Sequence, residues 1–177
     1  MASTMAAALS CLSLELEDPL LAVLHFLRDL LIFGRSMVGR PSLYPTIPTS
    51  VQETVLALCK QQGAQLVARM ISGLIYSFPR DCVPDASGLY MSLVELCPSE
   101  APEWIFGTLN MLPQGTISDL EREKFNNQFR QNLSTIDDLK IRSQIQDFTS
   151  WYRRRNITPR TDKTRLESLN GAHFRYE

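Results

Sequence analysis

The residues of this chain that could do chemistry are few and far apart. Its two histidines are His25, inside the most apolar segment, and His173, near the end of the chain. A metal site or a cysteine-histidine nucleophile would need one of them. His25 instead reads as a histidine on the polar strip of a helix. The four cysteines, Cys11, Cys59, Cys82 and Cys97, form no CxxC pair, so neither a zinc ribbon nor a thioredoxin-type motif is present. They read as buried, inert thiols in a reducing compartment. Carboxylates gather as Glu15, Glu17 and Asp18, as Asp119, Glu121 and Glu123, and as Asp137 and Asp138. Each group falls at a helix start, where capping and the helix dipole account for acidic residues without general acid or base work. No glycine-rich phosphate loop and no GxSxG elbow occurs. The expectation is a protein that is not an enzyme and uses no metal or cofactor.

Binding is the other chemistry open to these residues. Trp104 and Trp151 could anchor a partner, because large aromatics carry much interface energy, or they could fill core space between helices. Arg153, Arg154 and Arg155 could clamp an acidic or phosphorylated partner through bidentate hydrogen bonds, or they could be a solvated helix end. These five residues are the candidate partner-binding set.

Composition sets outer bounds. With 177 residues, 44% of them hydrophobic, the chain can bury a core of its own. A net charge of -1 and a pI near 6.1 give no overall attraction to a polyanion, so direct nucleic-acid binding is not expected. The start of the chain has no basic residue before Arg28, unlike a secretory or transit leader. The most apolar run, Leu20 to Phe33, is interrupted by His25, Arg28 and Asp29 and is shorter than the roughly 20 residues of a membrane span, so no membrane association is expected.

The elements that would position these residues are helices. Apolar residues recur at three- and four-residue spacing between Pro, Gly and Ser punctuation, without sustained alternation. A first helix is expected over about Ser3 to Leu14. A second follows, capped by Asp18 with Pro19 at its first position, apolar nearly all round and therefore buried on several sides, and ended by Gly34. After a loop from Gly39 to Pro48, Ser50 is expected to cap a long helical stretch in which Gly63 breaks or kinks the rod and which Pro79 stops. Pro84 to Leu96 forms a shorter helix. Ser99 caps the next, with Ile105, Leu109 and Leu112 buried. Pro113 to Gly115 is a turn. Ser118 and Glu121 form a capping box ahead of Phe125, Phe129 and Leu133. Ser134 and Asp137 open a final helix with Ile141, Ile145, Phe148 and Tyr152 on one face. The segment 156–177 reads as a disordered basic tail behind helical repeats over 1–155. Antiparallel helix pairs stacked in an alpha-solenoid and a compact helical bundle both satisfy this pattern.

The order of segments resembles a known family. Leu24-His-Phe-Leu-Arg-Asp-Leu-Leu31 is similar to the FLRDL-type helix near the C-terminus of karyopherin-beta receptors of the transportin-SR and importin-13 type. Gln62-Gln-Gly-Ala-Gln-Leu-Val67 resembles that family's glutamine-rich helix, and Val83-Pro-Asp85 the start of the following one. Trp104 through Leu112-Pro113 resembles its Trp-containing helix ending in Leu-Pro, and Gln146-Asp-Phe-Thr149 its terminal Asp-Phe helix. The likeness runs from about Ala6 to Arg155.

The resemblance implies an all-α, HEAT-repeat-like alpha-solenoid fragment, and so decides between solenoid and bundle. It further implies nuclear import: a receptor that moves between cytoplasm and nucleus, carries Ser/Arg-rich splicing factors as protein cargo and releases them to the Ran GTPase. Such receptors are several times longer, and their main Ran surface lies in N-terminal repeats that this sequence does not contain. Their arginine-rich phospho-Ser/Arg helix also lies upstream, so that role is not carried onto Arg153, Arg154 or Arg155. The expectation is therefore a fragment or truncated gene product, with self-association through the exposed N-terminal repeat end. A free-standing helical scaffold unrelated to transport is the alternative.

Overall fold

A computed structural model describes residues 2–14, 16–34, 47–113, 115–135 and 138–156. Within them the chain is all-helical: α1 (Ala2–Cys11), α2 (Glu17–Ile32), α3 (Thr49–Tyr76), α4 (Val83–Leu96), α5 (Ala101–Met111), α6 (Asp119–Thr135) and α7 (Asp138–Asn156), with a single 3-10 turn at Arg80–Cys82 leading into α4. Most of the Gly39 to Pro48 loop and the tail beyond Asn156 lie outside the described residues, as do the side chains of Leu133, Ser134 and Asp137.

α2 runs parallel to α4 and α3 parallel to α5, which is the geometry of a stacked, solenoid-like array. The start of α2 meets the start of α4, where Cys82 Sγ lies 3.9 Å from the Glu17 carbonyl. Further along, His25 Nε2 is 2.7 Å from Asp85. Gly34 then packs on Leu96. α3 and α5 are parallel in the same way: Lys60 pairs with Glu100 at 3.1 Å, Trp104 seats on Gly63, and the Tyr76 hydroxyl meets Thr116 at 2.9 Å.

The third hairpin departs from simple stacking. α6 lies along α5, with Arg130 2.6 Å from Glu103, while α7 folds back over both α4 and α3. The core is one continuous cluster. Leu20, Leu24, Leu27 and Leu31 of α2, Leu66, Val67, Met70 and Ile75 of α3, Leu89 and Leu93 of α4, and Ile105 and Leu109 of α5 are all buried within it. At about 1.5–3 kcal/mol per fully buried aliphatic side chain, this seam outweighs any single polar contact.

Several local expectations change. The N-caps of α2, α3 and α5 are Leu16, Pro48 and Glu100, none with a side-chain cap, so Asp18, Ser50 and Ser99 do not act as caps. Backbone carbonyls take some of the first-turn amides: Val51 donates to Pro48, Ala101 to Cys97 and Glu103 to Glu100. Pro19 consequently sits inside the first turn of α2 and not at its first position. Nor is α2 buried all round: one stripe is fully covered, Leu21, Val23 and Leu30 are partly buried, and Phe26 remains 43% exposed.

Gly63 does not break α3, which runs unbroken for 28 residues. A Cβ at Gly63 would overlap the Trp104 ring, so the glycine makes room for the indole. The histidine reading holds as structure, and the buried-thiol reading holds for Cys59, Cys82 and Cys97 while Cys11 is only partly buried. His25 pairs with Asp85, Cys59 and Cys97 share a thiol-thiol contact at 3.5 Å, and all four cysteines are free. The Cys97 contact and burial together push the Cys59 thiol up, away from thiolate.

The Gly63 and Trp104 fit gives a test with a counter-intuitive sign. Replacing glycine by alanine in an open helix stabilises by about 1 kcal/mol. Here Gly63→Ala is expected to destabilise by about 2 kcal/mol, because the ring must move. In the Trp104→Ala background the same change should lose its penalty. Urea unfolding of the four chains measures both; a neutral or stabilising Gly63→Ala in the parent chain would show that the indole is not seated there.

Candidate interaction surface

The surface of interest is built by the α6 and α7 hairpin. α6 begins with the expected capping box: the Glu121 carboxylate accepts from the Ser118 amide and hydroxyl, each at 2.7 Å, and the Glu121 amide donates back to Ser118 Oγ at 3.3 Å. The same carboxylate accepts from Arg155 at 3.0 Å, which ties the end of α7 to the start of α6. At the other end the Asn132 amide donates to Gln144 at 2.9 Å. These contacts hold the two helices antiparallel.

Between them lies an open groove of about 750 Å³. Its floor is aromatic and belongs to a ladder of rings: Tyr90 to Phe129, Phe129 to Phe125, Phe125 to Phe148, Phe148 to Tyr152, and Tyr152 to Trp151, with centroids 4.4–6.1 Å apart. The ladder starts at the buried Tyr90 and ends at Trp151, which is 56% exposed. Burial pushes the Tyr152 phenol up to about 12, so it stays neutral. The rim is rich in amides and mixed in charge, with Gln128, Gln131, Lys124 and Asp147. An aromatic floor under amide donors and acceptors suits a polypeptide segment.

The five candidate residues do not converge. Trp104 is partly buried between α5 and α3 and serves the core. Trp151 lines the groove, and Arg155 stacks on it with its guanidinium carbon 5.5 Å from the ring centroid. Arg153 and Arg154 point to a different face of α7, beside Arg80 and Val83. Sequence reasoning missed the α6 half of the groove. The signal for it was Phe125 four residues before Phe129, on a helix otherwise almost wholly polar.

Glu121 links this surface to stability. Hydrogen bonds from Ser118, reinforced by Arg155, hold its carboxyl below the usual carboxylate range. A depressed folded pKa contributes stability above the unfolded value and loses it as pH falls through the folded one. Glu121→Ala is thus expected to cost about 1 kcal/mol at pH 7, a difference that persists to about pH 5 and shrinks below it. Denaturant unfolding at three pH values checks this; a constant difference down to pH 3 would exclude the ionic contribution.

No protein-family profile matches the chain. The chain is 34% identical over 162 residues to an uncharacterized protein of Schizosaccharomyces pombe, a match that covers 89% of this chain and 17% of the relative. It therefore spans about a sixth of the length of that curated relative.

Proposed function

We propose that this chain is the C-terminal part of a nuclear import receptor of the transportin-SR and importin-13 type. In that role it contributes to binding protein cargo, Ser/Arg-rich splicing factors by resemblance, for Ran-dependent transport between cytoplasm and nucleus. The observation that carries the reading is the parallel stacking of α2 on α4 and of α3 on α5. That is the arrangement a HEAT-like array requires, and it comes from the segments whose motifs carry the resemblance. The much greater length of the yeast relative is in keeping with a segment of a large receptor. The exposed Trp151 and the groove beside it are the surface offered to a protein partner.

A free-standing helical scaffold is the second reading, and a specific feature favours it. The outer face of α1 carries Ser3, Thr4, Ala6, Ala7 and Ser10, small residues that leave no large apolar patch on that helix.

Immobilised chain should retain Ran loaded with GTP over Ran loaded with GDP, or phosphorylated over unphosphorylated Ser/Arg peptide. Trp151→Ala should weaken that retention severalfold with an unchanged melting temperature, because the side chain is largely solvated. In size-exclusion chromatography an array lacking its neighbouring repeats should show concentration-dependent self-association. A monodisperse monomer that retains none of these ligands would overturn the transport reading in favour of the scaffold.

A further inference from the structure

On the face of α7 opposite the Trp151 groove, a second concavity of about 430 Å³ lies between the C-terminal half of α7 and the start of α4. Three guanidinium groups line it: Arg153 and Arg154 from α7, and Arg80 from the 3-10 turn that opens α4. Gln146 and Ser150 line it too, and none of the described residues that line it is acidic. The Arg153 guanidinium is partly buried, and its Nη1 has no hydrogen-bond partner. A buried donor on a charged group is costly to leave unmade, so the site as it stands is unsatisfied.

The helix dipole explains only part of this arrangement. The last turn of α7 is negative, so Arg153 and Arg154 belong there. Arg80 does not: it stands at the N-terminal, positive end of α4 and faces Arg153. Burial first, and then the Arg80 charge, lower the Arg153 pKa from its ordinary value, the direction expected for cations held together without a counter-ion. Neither Asp81 of the 3-10 turn nor Asp85 of α4 lines the cleft, and Asp85 is engaged elsewhere, pairing with His25 at 2.7 Å and lying 3.8 Å from Arg28.

We infer that the cleft formed by Arg80, Arg153 and Arg154 binds a phosphate-class oxyanion. Such an anion places its oxygens against the guanidinium groups of Arg80, Arg153 and Arg154, with the Ser150 hydroxyl and the Gln146 amide as further donors. It neutralises three like charges at once and also meets the positive end of α4. The inference does not depend on the transport reading.

Isothermal titration of the full chain at low ionic strength, with inorganic pyrophosphate, inorganic phosphate and glycerol phosphate as probes, tests it. Pyrophosphate should bind, and Arg154→Ala should weaken it about tenfold. The glycerol phosphate arm separates the sources: binding of the ester marks a phosphorylated partner group, whereas binding of inorganic anions alone marks a free ligand. Arg80→Glu is the sharper variant, because it supplies the missing counter-charge from within the protein. It should raise the melting temperature of the unliganded chain and abolish the further rise that pyrophosphate gives the parent. Arg142→Ala removes an exposed charge elsewhere on α7 and should leave binding unchanged. Absence of pyrophosphate binding, or equal loss in Arg142→Ala and Arg154→Ala, would overturn the site. Arg80→Glu and Arg154→Ala alter exposed residues, so the test survives even if Arg153→Ala fails to fold.

Discussion

Everything in this molecule hangs on α3 remaining one uninterrupted rod with its apolar stripe shared among neighbours. Leu66, Val67, Met70 and Ile75 are fully buried, and α1, α2, α4, α5 and α7 all touch this helix. Its two interior glycines are close-packing devices: Gly63 admits Trp104 and Gly73 admits Phe78. A helix can tolerate the intrinsic cost of glycine when each missing Cβ lets a large ring come down onto the backbone. The Phe78 amide donates to the Gly73 carbonyl at 2.8 Å, so the same glycine also ends the helix. The chain reverses tightly there, and the 3-10 turn that carries Arg80 follows at once.

Helical periodicity explains why an apparent cluster became two sites. Arg153, Arg154 and Arg155 are consecutive in sequence, but at about 100° per residue Arg155 stands roughly 200° round the helix from Arg153, so those two cannot address one target together. Arg155 therefore reaches Glu121 and Trp151, while Arg153 faces Arg80. The opposite case is the ring ladder, whose α7 members Phe148 and Tyr152 lie four residues apart on one face. Spacing, more than composition, decides which residues act together. Applied to the arginine run, the same rule separates Arg155 from Arg153 on spacing alone.

What was legible in the sequence follows the range of the interactions involved. The helix order, the buried lines through Ile105 and Leu109 and through Ile141, Ile145 and Phe148, and the Ser118 and Glu121 capping box are set by residues within one or two turns of each other. Those readings match the structure. The serine caps failed because the helix boundaries fall elsewhere: Ser50 lies inside α3 and Ser99 one residue before the α5 N-cap, a shift that residue type does not reveal. Gly63 was misread because its reason lies 41 positions away in Trp104, and Arg80 was passed over because its partner in charge is on α7. Both depend on contacts across the fold, which local spacing cannot encode.

α7 departs from the regular stacking of the preceding helices. A regular solenoid would lay α7 on α5 and leave the flank of α4 open to the next repeat. Here α7 turns back across α4 and α3, burying Ile141, Ile145, Phe148 and Tyr152 in the common core. α6 and α7 are also the most polar helices of the chain, and Lys124, Gln128, Lys140 and Asp147 face water around their groove. A polar outer face of this kind does not recruit another chain by apolar contact. It still leaves room for selective contacts, since the hairpin carries Trp151 on one side and the three-arginine cleft on the other. The α6 and α7 hairpin can thus meet a partner without exposing the seam that holds the chain together.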